Sequence, residues 1–96
     1  MNVQVQYLGP VRILVNKQEE EVELSSGTTI YELLQKLAVI YGQAFDREIF
    51  EDDRQSIREG LIITINGIAI GQLNDLQTPL KSEDVVTLLP CFSGGG

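Results

Sequence analysis

The segment SSGTTIYELLQKLAVIYG, residues 25–42, most constrains the fold because it predicts one amphipathic helix in the middle of the chain. Thr29 followed by Glu32 is the pattern of a capping box, in which each side chain accepts a hydrogen bond from the other residue's backbone N–H. Five apolar side chains then recur at helical spacing: Ile30, Leu33, Leu34, Leu37 and Tyr41. We predict a helix over residues 30–41 that ends at Gly42 and lays its apolar stripe on a sheet.

Two segments that alternate polar and apolar residues precede this helix, at residues 2–8 and 19–24. A period of two is typical of half-buried strands, so we expect the two segments to pair as an N-terminal hairpin. Between them, Gly9-Pro10 interrupts the first strand. VRILV at residues 11–15 is expected to carry extended structure further, and NKQ at residues 16–18 to form a turn.

Three further strand signals follow the helix. LIITI at residues 61–65 predicts a buried strand, and Asn66-Gly67 predicts a tight turn into a short strand at residues 68–70. DVVTLLP at residues 84–90 predicts the last strand. Two strand pairs around one helix indicate an α+β architecture, with a mixed sheet of about four to five strands packed on one main helix. In such a sheet the first and last strands can pair in parallel at the centre.

Residues 43–60, between the predicted helix and the LIITI segment, are polar and charged. Three apolar side chains are candidate anchors for a short helical turn there: Phe45, Ile49 and Phe50. The acidic run at residues 51–53 lacks the spacing of oxygen ligands in a calcium loop, so we interpret it as a solvated loop.

The chain lacks the residues that most enzyme sites need. It has no histidine, which excludes Ser/His and Cys/His nucleophilic arrangements and the commonest metal ligand. Its carboxylates are scattered over predicted turns, and it contains neither a P-loop nor a dinucleotide-binding glycine pattern. The single cysteine, Cys91, cannot form an internal disulfide; it is either an inert apolar residue or a reactive thiol. We expect no catalytic residues and no metal site.

The charge of the chain favours a protein partner. Fourteen acidic against seven basic residues give a formal net charge of −7, which repels nucleic acid and anionic lipid and favours a basic protein surface. The N-terminal MNVQVQYLGP lacks the basic start and continuous apolar stretch of a signal peptide, and no apolar run approaches the length of a membrane span. We expect a soluble, cytoplasmic protein that binds neither nucleic acid nor membrane.

The last seven residues, PCFSGGG, are an unusual end for a folded domain. Ninety-six residues, 43% of them apolar, suit one small domain, which we assign to residues 1–90. Ordering glycine costs more backbone freedom than ordering any other residue, so we expect residues 91–96 to form a flexible tail. Six extended residues reach about 20 Å, and glycine has no Cβ, so the tail could enter a narrow channel of another protein. The alternative is a frayed terminus without a role.

Five segments together carry a resemblance to a known family by their order and spacing. They are GPVRILV after the first strand, GTTIYELLQKLAVIYG around the helix, ITING, LQTPLKSEDVV before the last strand, and the Gly-Gly ending. With this pattern the chain resembles the MoaD/ThiS family of ubiquitin-like sulfur carrier proteins, and in particular the MoaD branch, the small subunit of molybdopterin synthase. The resemblance implies a ubiquitin-like β-grasp fold.

The resemblance also implies a function. In that family an E1-like adenylyltransferase of the MoeB/ThiF type uses ATP to adenylate the carboxylate of the terminal glycine, which is then converted to a thiocarboxylate that donates sulfur. The carrier is a co-substrate with no bound cofactor, so the resemblance implies a protein that is not itself an enzyme. A larger molybdopterin synthase subunit of the MoaE type is the second implied partner, in a hetero-oligomer.

The family's usual ending is an aromatic residue, two prolines, two variable residues and Gly-Gly, and this chain departs from it. Leu89 takes the place of the aromatic residue and Cys91 that of the second proline. Gly94 and Gly95 take the places of the glycine pair, so Gly96 lies one residue beyond the usual end. The resemblance assigns adenylation and the thiocarboxylate to Gly96, or to Gly95 if the last residue is trimmed.

By the same resemblance, the partner surface is the exposed sheet face beside the tail. We place it at five residues: Leu8, Ala69, Leu89, Pro90 and Phe92. An exposed apolar patch of this type suits an interface with a larger subunit. The alternative for Leu8, Ala69 and Leu89 is ordinary packing in the core or at a strand edge.

Three other functions remain open to such a chain. It could carry sulfur for thiamine or cysteine biosynthesis rather than for molybdopterin. It could be a ubiquitin-like modifier that is joined to target lysines through its terminal glycine. It could also be a β-grasp adaptor that recognises proteins with its sheet and does not use its tail.

Overall fold

A five-stranded mixed sheet forms the frame of the computed structural model, which describes residues 1–90. The strands are β1 (Asn2–Tyr7), β2 (Glu19–Glu23), β3 (Leu61–Ile65), β4 (Ile68–Ala69) and β5 (Val85–Pro90). Their order in the sheet is β2-β1-β5-β3-β4. β1 pairs with β2 antiparallel and with β5 in parallel, while β3 pairs antiparallel with both β5 and β4. The predicted N-terminal strand pair and the parallel pairing of the first and last strands are both confirmed.

The main helix, α2, spans Ile30–Tyr41, as the sequence predicts. The capping box is present: the Thr29 hydroxyl accepts the Glu32 N–H at 3.2 Å, and the Glu32 carboxylate accepts the Thr29 N–H at 3.0 Å. The buried face of the helix consists of Ile30, Leu33, Leu34 and Leu37. These side chains join the strand residues in one core, so the apolar stripe of the helix does lie on a sheet.

Residues 11–15 are helical, and the expectation of extended structure there is wrong. The helix α1 spans Pro10–Val15 and begins after Gly9, whose φ of 68° turns the chain away from β1. Proline suits the first position of a helix because the N–H that it lacks has no partner there. Val11 and Val15 are four residues apart, so one helical face buries both of them. VRILV therefore fits a short helix as well as a strand.

Gly42 ends α2 and begins a third helix, α3, which spans Gln43–Ile49. The predicted anchors Phe45, Ile49 and Phe50 are fully buried, which confirms a short helical segment at this place. The acidic run that follows α3 forms a turn in which Asp52 and Asp53 are exposed, as expected for a solvated loop.

The strand predicted at residues 68–70 is one residue shorter than expected. β4 ends at Ala69 because Ile70 begins a 3-10 turn that buries its side chain in the core. A second 3-10 turn at Asp75–Gln77 buries Leu76 and leads toward β5.

The two faces of the sheet differ. One face carries the core, to which alternate residues of the strands contribute Val3, Val5, Tyr7, Ile63, Ile65, Val86 and Leu88. The alternate residues of β1, β3 and β5 on the other face are half-buried or exposed, and we call this side the open face. Within residues 1–90, none of the helices is long and apolar enough to cross a membrane.

Glu20 joins two strands and the main helix through hydrogen bonds at the edge of the core. Its Oε2 accepts the Tyr7 hydroxyl at 2.6 Å and the Tyr41 hydroxyl at 2.5 Å, and its Oε1 accepts the Lys17 ammonium at 3.1 Å. Partial burial of the carboxyl opposes ionisation, but the hydrogen bonds from Tyr41, Tyr7 and Lys17 outweigh it and lower the pKa of Glu20. Burial and the hydrogen bond to Glu20 raise the pKa of Tyr7.

The lowered pKa of Glu20 predicts a loss of stability in acid. A carboxyl whose pKa is lower in the folded state contributes stability above its unfolded pKa, about 4.3, and loses that contribution as pH falls through the folded pKa. We expect Glu20→Gln to reduce the free energy of unfolding at pH 7 by about 1 to 2 kcal/mol, since a neutral amide is a weaker acceptor. The difference in the free energy of unfolding between Glu20→Gln and wild type should shrink below about pH 4.3.

Urea denaturation of wild type and Glu20→Gln between pH 7 and pH 3 measures this difference. Glu21→Gln is the matched control, because Glu21 lies next to Glu20 on the same strand and its side chain is exposed. If wild type and Glu20→Gln lose stability in parallel across the whole pH range, the lowered pKa of Glu20 is contradicted.

Candidate functional site

The open face and the end of β5 are where the structure places the predicted partner residues. Leu89 on β5 pairs with Ile62 on β3, so both side chains lie on the open face. Ala69 pairs with Thr64, which in turn pairs with Thr87, so Ala69 shares that face one row further from the end of β5. The structure thus brings Leu89 and Ala69 to one face, and their contact with a partner stays a prediction.

Leu8 and Pro90 lie at the end of the sheet, beside the point where the chain leaves β5. Leu8 follows β1, is 44% exposed, and donates its backbone N–H to the Leu88 carbonyl at 3.0 Å. Both residues line a small cavity of about 110 Å³ together with Pro10, Val11 and Leu61. Leu8 therefore belongs to the exit of the tail rather than to the core.

Gly9 packs against Pro90 at this exit. A Cβ built on Gly9 would lie 2.9 Å from the Pro90 Cγ, closer than real side chains approach. Gly9 also has φ 68° and ψ −144°, a conformation that essentially only glycine adopts. The close contact between the start of α1 and the end of β5 sets where the last described residue points.

Phe92 and the glycines at positions 94, 95 and 96 lie outside the described residues, as does Cys91. The predictions made for them therefore stay predictions. Within residues 1–90, no group of three or more Asp, Glu, His or Cys side chains could hold a metal ion.

Sequence reasoning missed two residues of the open face, Ile62 and Val85. Both are half-buried, and Val85 pairs with Gln4 on the same face. For Val85 a signal was present in the sequence, because it lies four residues before Leu89 on the same strand and so shares its face. For Ile62 the sequence holds no such local signal, because its face follows from its pairing with Leu89. LIITI was predicted to be a buried strand, so its outward side chains were not considered.

The family model for the ThiS family matches residues 5–95 of the sequence, which is nearly the whole chain. The chain belongs to the ThiS family. The resemblance stated from the sequence is thereby confirmed, and the observed sheet order and main helix agree with the β-grasp fold that it implied. A comparison of this ThiS-family sequence with curated proteins gives no match.

Solved structures with the same fold cover almost the whole ThiS-family chain. The small archaeal modifier protein SAMP1 from Methanosarcina acetivorans is 29% identical, with a TM-score of 0.81 over 98% of this chain and 96% of that chain. A Pyrococcus furiosus protein assigned as molybdopterin converting factor, subunit 1, is 26% identical, with a TM-score of 0.76 over 96% and 99%. CysO from Amycolatopsis orientalis, solved in complex with BexX, is 18% identical, with a TM-score of 0.75 over 97% and 99%.

The contact between Gly9 and Pro90 predicts an unusual cost for a small substitution. Gly9→Ala should destabilise the fold by about 1 kcal/mol more than Gly42→Ala, because only the first adds a steric clash to a strained backbone. Gly42 is the matched control: it has φ 92° and ψ −171°, also precedes a helix, and has no atom within 4 Å of an added Cβ. Urea unfolding of both variants measures the difference, and equal costs would show that Pro90 does not constrain Gly9.

Proposed function

We propose that this ThiS-family protein is a sulfur carrier that acts in molybdopterin biosynthesis. Its C-terminal glycine is adenylated by an E1-like enzyme of the MoeB/ThiF type at the expense of ATP, and is then converted to a thiocarboxylate that donates sulfur. The observation that carries the proposal is the reach of the family match to residue 95, which includes Gly94 and Gly95 beyond the last strand. The structural likeness to a molybdopterin converting factor subunit at 26% identity favours this pathway.

The chemistry of the proposal requires activation before sulfur transfer. A carboxylate is a poor electrophile, so the terminal oxygen first attacks the α-phosphate of ATP, forms a mixed anhydride with AMP and releases pyrophosphate. Hydrosulfide then attacks the acyl carbon and the C–O bond to AMP breaks, which releases AMP and a proton and leaves a thiocarboxylate. The carrier supplies the acyl group, and its partners supply the catalytic residues.

The described part of the chain supports delivery of the terminal group to such partners. Pro90 pairs with Leu61 at the end of the sheet and packs against Gly9, next to half-buried Leu89 and exposed Leu8. Six residues have a maximum reach of about 20 Å, enough to place a carboxylate inside an active site of a partner. The CysO protein of the same fold is solved with a partner protein, and we propose a larger synthase subunit of the MoaE type for this chain.

Intact mass after incubation with the cognate activating enzyme, ATP and a sulfur source tests the proposal. We expect the mass of the protein to rise by the replacement of one oxygen with one sulfur, and the same spectrum to show whether Gly96 is retained. Reaction without ATP is the control. An unchanged mass, with an activating enzyme that releases pyrophosphate on another carrier, would reject the proposal.

The absence of a side chain at Gly95 provides a second test of the proposed entry of the tail into the activating enzyme. We expect Gly95→Val to lower the rate of adenylation about tenfold or more, because a branched side chain misplaces the carboxylate, while the melting temperature stays unchanged. Gly71→Val is the matched control, since it adds the same side chain where an added Cβ meets no atom within 4 Å. Pyrophosphate release measures adenylation, and equal rates for Gly95→Val and wild type would contradict entry of the tail into a narrow site.

A second candidate function is conjugation to other proteins, favoured by the 29% identity to an archaeal protein named as a modifier. Such a modifier uses the same adenylated glycine but transfers it to lysine side chains. A ladder of higher-mass conjugates on immunoblots, lost when Gly94, Gly95 and Gly96 are deleted, would support it. Carriage of sulfur for thiamine or cysteine biosynthesis uses the same carrier chemistry, and the identity of the sulfur acceptor separates it from the molybdopterin pathway.

A further inference from the structure

The small cavity at the end of β5 lies on the helix side of the sheet, away from the open face. Its volume of about 110 Å³ is several times the roughly 30 Å³ that one water molecule occupies in the liquid. Five apolar residues contribute to its lining: Leu8, Pro10, Val11, Leu61 and Pro90. Because protein interiors are close-packed, a cavity of this size and lining has room for one more apolar side chain.

Three charged residues complete the lining of the cavity. They are Glu48 at the end of α3, and Arg58 and Glu59 in the loop before β3. The Arg58 Nε donates a hydrogen bond to the Arg47 carbonyl, which orients the guanidinium. The cavity therefore presents one oriented cation and two carboxylates beside its apolar residues.

This combination of groups favours an aromatic occupant. A guanidinium stacks on the negative face of an aromatic ring, as that of Arg54 does on Phe50 at 5.2 Å elsewhere in this protein. The edge of the ring is positive, so it is compatible with nearby carboxylates. An aliphatic side chain has neither a negative face nor a positive edge.

The chain leaves the sheet directly beside the cavity. Pro90, the last residue of β5, lines it, and Phe92 follows two residues later, outside the described residues. Side chains of a strand alternate between the two faces, so Pro90 shares the core side with Val86 and Leu88. A chain that stays extended for two more residues turns Phe92 to that same side, about 7 Å further along.

Phe92 is the one residue after Pro90 whose side chain matches the cavity. The tail sequence is CFSGGG, in which serine is small and polar and the glycines have no side chain. Cys91 has the opposite parity, so an extended chain turns it to the open face. A tether of two residues also gives Phe92 a high effective concentration at the cavity, which a side chain of another protein does not have.

We propose that the cavity is an intramolecular docking site for Phe92, in which the ring packs on Val11 and Leu61 with the Arg58 guanidinium against its face. The site goes beyond the proposed function. It is a property of the free protein and does not depend on which enzyme activates the tail.

A docked ring shortens the part of the tail that a partner can reach. Residues 93–96 then extend beyond the anchor and span at most about 14 Å, against about 20 Å for the six residues after Pro90. A partner that draws the whole tail into its active site must first take the ring out of the cavity. Its apparent affinity is therefore reduced by the fraction of the protein in which the ring is released. The docking site holds the tail against the domain until contacts with a partner replace those of the cavity.

Methyl NMR of the full-length protein tests the docking site. An aromatic ring shifts the resonances of methyl groups that lie against its face, so Phe92→Ala should move the signals of Val11 and Leu61. The signals of Val22, on β2 and away from the cavity, should not move. Ser93→Ala is the matched control, because it changes the next residue of the tail without removing a ring, and it should move none of these signals.

Urea unfolding provides a second test through a double-mutant cycle. Phe92→Ala should raise the equilibrium constant for unfolding about tenfold, and Phe92→Leu should raise it less, because leucine refills part of the cavity. Leu8 lines the cavity and is 44% exposed. The loss of stability in the combined variant Leu8→Ala, Phe92→Ala should therefore be smaller than the sum of the two single losses. Ile13→Ala is the matched control: Ile13 is 81% exposed on α1 and does not line the cavity, so its loss should add to that of Phe92→Ala.

The outcomes separate this inference from the proposed function. Unchanged Val11 and Leu61 signals in Phe92→Ala overturn the docking site, and so do strictly additive losses for Leu8 and Phe92. Methyl shifts that grow with protein concentration assign the ring to a second copy of the chain and also overturn an intramolecular site. Neither measurement uses an activating enzyme, so each of these results leaves the sulfur carrier intact, and a failure of adenylation leaves the docked ring in place.

Discussion

The parallel pairing of β1 with β5 is the interaction on which the rest of the structure depends. It runs from Gln4 opposite Val85 to Tyr7 opposite Leu88, so it joins the two ends of the described chain at the centre of the sheet. β2 attaches to β1 and β3 attaches to β5, while β4 joins the sheet through β3. Pairing β1 with β5 closes a loop that contains most of the described chain, and loop closure costs conformational entropy. Burial of the core side chains of both strands against the apolar face of α2 offsets that cost.

The same pairing has a functional consequence at its carboxyl end. Because both strands run in one direction, the turn after β1 and the residue that ends β5 meet at the same edge, where Gly9 contacts Pro90. The core occupies one face of the sheet, so the opposite face and this edge stay available for a partner. In this ThiS-family domain one face of the sheet carries the core, and the other face is open beside the residue at which the described chain ends.

How far the sequence predicts this arrangement depends on whether the signal is local. The helix α2 was predicted to the residue because its capping box and apolar stripe lie within one segment. Residues 11–15 were predicted wrongly because VRILV satisfies strand preference and helical spacing alike, and only the turn at Gly9 and the burial of Val11 and Val15 decide between them. The set of residues that share the open face depends on which strands become neighbours, a property of the whole sheet.

In the candidate site, too, residues with a local sequence signal could be predicted, and residues that depend on strand pairing could not. Leu89 and Ala69 were predicted for the partner surface and do share the open face, whereas Ile62 was missed because the strand pairing that brings it beside Leu89 spans distant segments. The role of Glu20 was not visible in the run EEEVE, because only the register with β1 places alternate glutamates on the open face and Glu20 on the core side. The tail residues carry the proposed chemistry and lie outside the described residues.

Transfer of labelled sulfur tests the central claim most directly. The thiocarboxylate form of the protein, made with isotopically labelled sulfide, is incubated in a single turnover with the larger synthase subunit and its pterin precursor. The account predicts that the label leaves the protein for the small molecule while the carrier returns to its carboxylate mass. Label that stays on the protein, or a carrier that ends in an isopeptide bond to other proteins, would contradict it.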